Sequence, residues 1–227
     1  MYIQITSRCN MKCAHCCGDY GVKGVDMTRD MFIAAAELAE DHGEYVTIGG
    51  GEPTLHPLFW DFIGIALGYQ ECKGSVCVIT NGSVTGTATR LANLARAGVI
   101  GAELSQDRYH SAIDPYVVQV FTRERGYGED HNDFRGIRTV RTILNLGRAA
   151  ENGIGTEDDC SCDDLFARSD GTLWACAHEK VQFGTVFKPE IPEGYFGSDY
   201  KCSEKANQLD RMWSLPVEEE EEMEQAA

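Results

Sequence analysis

Cys9, Cys13 and Cys16 place three thiols within eight residues, with three and then two residues between them. Thiols this closely spaced point to metal ligation. A [4Fe–4S] cube usually takes four thiolates, one for each iron. A loop offering three leaves one iron open to a small molecule, which makes the cluster a chemical site as well as an electron carrier. The rival reading is zinc held by Cys9, Cys13, Cys16 and either His15 or Cys17. Structural zinc sites commonly pair two short Cys-x2-Cys knuckles, and this loop has only one. Cys17 reads as a shielded thiol, and Cys72 and Cys77 as isolated ones.

A second unusual stretch is Gly49-Gly50-Gly51-Glu52-Pro53. Consecutive glycines let a backbone approach a ligand closely and take torsions that other residues resist. The plainer reading is a strand-to-helix turn. A third group lies near the C-terminus, where Cys160, Cys162, Cys176 and Cys202 surround a hairpin signal turning at Asp170-Gly171.

The two N-terminal motifs, in this order, resemble the signatures of the radical S-adenosylmethionine (radical SAM) enzymes. The resemblance implies a [4Fe–4S] cluster on Cys9, Cys13 and Cys16, with the open iron chelated by the amino and carboxylate groups of SAM. Reduction of the cluster would cleave SAM to a 5′-deoxyadenosyl radical that abstracts hydrogen from a substrate. His15 takes the position that lies near the adenine in this family, and Gly49, Gly50, Gly51 and Glu52 match the motif whose backbone carbonyls bind the amino group of SAM. Thr80-Asn81-Gly82 is similar to the family's third strand ending, though Asn-Gly is also an ordinary turn. Ser105-Gln106-Asp107 resembles a pattern that hydrogen-bonds ribose or substrate, with a helix cap as the alternative for Asp107. His110 could reach the substrate cavity or be a solvated loop side chain. Gly147-Arg148-Ala149 resembles a further motif in which Arg148 pairs with the SAM carboxylate, against the alternative of a surface arginine. Cys160-x10-Gly171-x4-Cys176 resembles the opening of the SPASM and twitch extensions, which bind auxiliary iron–sulfur clusters. Cys162 and Cys202 could complete four ligands for a second cluster; zinc, or no metal, are the alternatives.

These residues must be positioned by alternating strands and helices. Strand patterns fall at 2–6, 45–48, 76–80, 99–105 and 137–144. Helical stripes lie between them: 28–42 with Gly43 as its stop, one starting at Pro57, one capped by Thr87 and ended by Gly98, and one opened by Asp114-Pro115. The expected fold is α/β, a partial barrel of five or six strand–helix units spanning 1–156, because a full eightfold barrel takes about 250 residues. A small cysteine-rich extension at 157–213 and an acidic, disordered tail at 214–227 follow. The motif residues fall at the C-terminal ends of the strands, where such barrels do their chemistry.

Composition narrows the function. The 227 residues carry a net charge of −16, and six acids lie in the tail between Glu218 and Glu224. Without them the body is still near −10, which argues against a nucleic-acid binder. No apolar run approaches the roughly 20 residues of a membrane helix, and no secretion signal is read at the N-terminus. Ten cysteines in short clusters then indicate metal ligation in a reducing cytoplasm. The cluster chemistry implies a low-potential donor such as flavodoxin or ferredoxin. An incomplete barrel is open along one side, which suits a peptide or protein substrate ahead of a small metabolite or nucleotide. A non-enzymatic iron–sulfur or zinc scaffold or redox sensor is the remaining class.

Overall fold

The computed structural model describes residues 1–70, 74–123, 132–139, 143–155, 164–179, 181–193 and 195. Five strand–helix units open the chain. The strands are β1 (Tyr2–Thr6), β2 (Val46–Gly50), β3 (Val76–Thr80), β4 (Gly101–Ser105) and β5 (Arg135–Arg138). The helices are α1 (Arg29–Asp41), α2 (Phe59–Tyr69), α3 (Thr85–Arg96), α4 (Pro115–Phe121) and α5 (Gly147–Glu151). Four short strands follow: β6 (Phe166–Ala167), β7 (Thr172–Trp174), β8 (Gln182–Thr185) and β9 (Lys188–Pro189). Together they make one nine-stranded sheet in the order β5-β4-β3-β2-β1-β6-β7-β8-β9. Strands β1 to β6 are parallel, and β6 to β9 form antiparallel pairs.

Alternation along each strand divides the sheet into two faces. Ile3, Ile5, Ile48, Val78, Ala102 and Leu104 are fully buried in the core with the helices. The apolar stripes of α1 (Phe32, Ala35, Ala39), α2 (Phe62, Ile63, Ala66) and α3 (Ala88, Leu91, Ala95) supply the other side of that core. Phe32 and Phe62 stack with ring centres 4.3 Å apart, tying α1 to α2. Tyr2, Gln4, Thr47, Cys77 and Glu103 alternate onto the inner face.

Thr28 caps α1 and Asp114 caps α4, each through its side-chain oxygen. Several boundaries differ: β2 runs on to Gly50, and β4 begins at Gly101 where 99 was expected. Pro57 does not open α2, which begins at Phe59; Pro53 instead opens a single 3₁₀ turn, Pro53–Leu55. Helix α3 begins two residues before Thr87, with no side-chain cap bond. Strand β5 starts at Arg135, because Arg135 is fixed by the Asp133 carboxylate and by the carbonyl of Val120. The hairpin expected at Asp170-Gly171 forms between β6 and β7. It also joins the main sheet, since Tyr2 pairs with Phe166 and Ile3 with Ala167. Among the described residues, no helix is long and apolar enough to cross a membrane. Cys160, Cys162, Cys202 and the acidic tail lie outside the described residues.

Candidate cluster and cofactor site

The cysteine loop leaves β1 and is tied back to its own far end. Ser7 N donates to the carbonyl of Val25, and Cys9 N to that of Gly21. Arg8 grips Asp26 with Nε at 2.9 Å and Nη2 at 2.7 Å, and also reaches the carbonyl of Leu55. Thr6 Oγ1 adds a third donor to Asp26. Burial works to raise the Asp26 pKa, but these donors hold it below the usual carboxylate value. Cys9 is buried, Cys13 and Cys16 are half-buried, and all three are free thiols. Burial pushes the Cys9 thiol up, and it pushes Cys13 up to about 11 with help from the nearby Cys9 and Cys16. A metal bound here would have to displace these protons, since the thiolate is the ligating form. Met11 N and Asn81 Nδ2 point at the Cys9 sulfur, at 3.4 and 3.8 Å.

Helix α5 holds the same loop from the other side. Arg148 Nε donates to the carbonyl of Cys13, and its Nη1 to Asp19 and the carbonyl of Tyr20. Ala149 N donates to the carbonyl of Cys16, and Asn152 Nδ2 to that of Ala14. Gly147 has a φ of +51°, and a Cβ there would press on the backbone of Cys16, Cys17 and Asp19. Nε and Nη1 of Arg148 are thus engaged in clamping the cysteine loop.

The glycine run packs against this loop. Gly51 N donates to the carbonyl of Thr6 and Glu52 N to that of Arg8. A Cβ on Gly50, whose φ is +132°, would overlap the Thr6 carbonyl; one on Gly51 would overlap the Arg8 carbonyl; one on Gly49 would strike the Tyr2 hydroxyl. The glycines thus allow β2 to touch the backbone next to Cys9, in addition to any ligand contact. Glu52 is fully buried and turned inward. Its carboxylate accepts from Thr54 N and Oγ1, Thr80 Oγ1 and Asn81 N, which joins the ends of β2 and β3. Burial raises its pKa against those donors. Only its backbone remains for a cofactor.

The end of β4 completes the site. Ser105 stands in register with Arg138. Asn81 Nδ2 donates to Asn10 on the cysteine loop. Asp107 accepts from Tyr109 N at 2.8 Å and lies 2.9 Å from His110 Nδ1, both on its Oδ1. Burial opposes its ionisation, but these partners keep its pKa low. His15 Nε2 lies 3.7 Å from Asp107 Oδ2, and burial lowers the His15 pKa against the pull of Asp107. The fold thus brings His15, Asn81, Asp107 and the three cysteines to one end of the sheet. The solvated alternative for His110 is excluded, since its side chain is 8% exposed. Its spacing of three residues from Asp107 was the available signal. Nothing in the sequence marked Arg8 and Asp26 as loop anchors.

At the other end of the β6–β7 hairpin, Cys176 is buried and disulfide-bonded. Its sulfur lies 3.7 Å from His178 Nδ1.

Known proteins resemble this chain in sequence and in fold. Residues 3–155 match the family described as the radical SAM superfamily. A tungsten-containing aldehyde ferredoxin oxidoreductase cofactor-modifying protein of Pyrococcus furiosus is 35% identical over 47% of this chain and 30% of its own length. Mycofactocin maturase MftC of Mycobacterium tuberculosis is 33% identical over 66% of this chain and 35% of its own length. The matched stretch is thus about a third of these curated relatives. Among solved structures, BtrN in complex with AdoMet and 2-DOIA superposes with a TM-score of 0.61 at 17% identity, over 93% of this chain and 85% of that one. Streptococcus suis SuiB bound to precursor peptide SuiA gives 0.53 at 13% identity, over 87% and 65%. These two show the shared fold. The profile match covers the whole run from β1 through α5, including the cysteine loop and the glycine run; the chain belongs to the radical SAM superfamily.

Proposed function

We propose that this chain holds a [4Fe–4S] cluster on Cys9, Cys13 and Cys16 and uses it to cleave SAM reductively, acting on a peptide or protein substrate. The observation that carries the reading is the set of three free thiols on one loop, anchored by Arg8–Asp26 on one side and by Arg148 on the other. When bound, the cluster and SAM supply one electron and a 5′-deoxyadenosyl radical. The chain's own part is placement and exclusion of water. Asn81 and the Met11 amide steady the Cys9 sulfur, the backbone of Gly49 to Glu52 receives the amino group of SAM, and His15, Ser105 and Asp107 line the adenosine side. Arg148 positions the loop.

The peptide reading draws on SuiB, which was solved with its precursor peptide, and on the relative called a maturase. BtrN, solved with 2-DOIA, favours a small molecule as the second reading. We assign residues 1–156 to the SAM-cleaving barrel and 157–213 to a twitch-like extension, with Cys160, Cys162, Cys176 and Cys202 as candidates for a second cluster and a flavodoxin or ferredoxin as electron donor. The test is anaerobic reconstitution followed by reduction with SAM present. Iron and sulfide near four each per chain, or near eight each where the second cluster also assembles, with 5′-deoxyadenosine released, is the expected result. Bound zinc, or a cluster that leaves SAM intact, would favour the scaffold or sensor reading. Mass spectrometry of peptides and metabolites exposed to the active protein then separates the two substrate classes.

A further inference from the structure

His15, Asp107 and His110 come from two different loops and meet at one point. One ligand atom from each lies within 4.8 Å of the other two. The three side chains are only 8–11% exposed. Asp107 has its Oδ1 occupied by Tyr109 N and His110, whereas its Oδ2 is buried with no hydrogen-bond partner. His15 Nδ1 and Gln106 Oε1 are buried and unpartnered in the same way. A carboxylate oxygen left so is costly unless something binds there.

We propose that His15, Asp107 and His110 form a divalent-cation site, and that filling it excludes SAM. Two imidazoles and one carboxylate are a donor set for a first-row divalent cation such as zinc or iron(II), with coordination positions left open. Metal bonds of about 2.0–2.2 Å put ligand atoms roughly 3–3.5 Å apart. His15 Nε2 and Asp107 Oδ2, at 3.7 Å, need only a small rotation to reach that spacing. The Tyr109 amide holds the carboxylate from behind, as outer partners of metal ligands do. The exclusion of SAM rests on the proposed function, which puts the adenosine against His15 and Asp107. One set of groups cannot serve a cation and a nucleoside together.

The experiment is anaerobic equilibrium dialysis of the cluster-loaded protein against low-micromolar zinc, followed by metal analysis. Wild type should hold one zinc per chain more than Asp107→Asn, an isosteric change, and more than His110→Ala. Saturating SAM should release that same zinc. Iron content and circular dichroism show whether each variant is folded, and either variant alone suffices. Zinc content equal in wild type and a folded variant overturns the site, because such zinc sits on other cysteines or on the acidic tail. A wild type that binds no zinc overturns it as well. Zinc lost in the variants but retained against SAM keeps the cation site and refutes the exclusion. A failure of SAM cleavage leaves the zinc comparison readable, so the two proposals fall separately.

Discussion

Arg148 Nε lies 3.2 Å from the carbonyl oxygen of Cys13, joining positions 135 residues apart at the heart of the cysteine loop. The guanidinium reaches Asp19 and the Tyr20 carbonyl as well, so one side chain spans the loop's second half. Arg148→Ala should therefore loosen the cluster more than it weakens SAM binding. Iron loss to a chelator should speed up several-fold, with Arg148→Lys intermediate because an ammonium lacks the planar fork. Unchanged iron loss with a much weaker SAM dissociation constant would favour the carboxylate-pairing role instead.

Gly51→Ala should disturb the cluster as well as the cofactor. The new methyl meets the Arg8 carbonyl, one residue before Cys9, and that backbone cannot move without the loop. We expect a destabilisation of about 2 kcal/mol or more and reduced iron content. Gly50→Val should do the same through the Thr6 carbonyl. Thermal unfolding and iron analysis are the measurements; full iron with only SAM binding lost would show that the ligand contact dominates.

Glu52→Gln tests the inward carboxylate. Four donors converge on it, and an amide must turn its NH₂ toward one of them. The expected cost is about 1–3 kcal/mol, the usual penalty for a buried group left without a partner. Denaturant unfolding should reveal it as a lower midpoint at an unchanged slope.

Acid should release the Arg8 anchor. The Asp26 carboxylate is held below its ordinary pKa, so it adds stability above the unfolded value of about 3.9 and loses it as pH falls through the folded value. Melting temperature measured from pH 6 to pH 3 should drop across the lower part of that range. Asp26→Asn should start lower and show a shallower drop.

Cys9/Cys13/Cys16→Ala isolates the C-terminal cysteines. Iron and sulfide near four each in that triple variant would mean an auxiliary cube, and one colourless zinc would mean a structural site. Cys176 is disulfide-bonded in this structure, so the purification must be reducing. A folded, reduced variant with neither metal would mark the extension as structural.

Local signals carried much of this architecture. β1 and β3 match their sequence boundaries, because apolar alternation ended at Thr6 and at Asn81-Gly82. Helix α1 was legible from Thr28 and the stripe through Phe32 and Ala39. The pairing of β6 with β1 was not, since a two-residue strand pairing across more than 160 positions leaves no local trace. The site divides the same way. The cysteines and glycines announced themselves by spacing. Glu52 and Arg148 carried the right chemistry for a ligand, but only packing reveals that one faces inward and the other grips the loop. His110 gained its meaning only once the turn after β4 set it against Asp107.

The place of β1 in the sheet has a consequence for synthesis. β1 is made well before β6, so one of its two edges waits for Phe166. At about 5–20 residues per second, a ribosome leaves that edge open for roughly ten to thirty seconds. During that interval the strand leading into the cysteine loop has an unsatisfied row of amides and carbonyls, open to wrong partners. The nascent chain is then most open to mispairing, and its cysteine loop is supported on one side only.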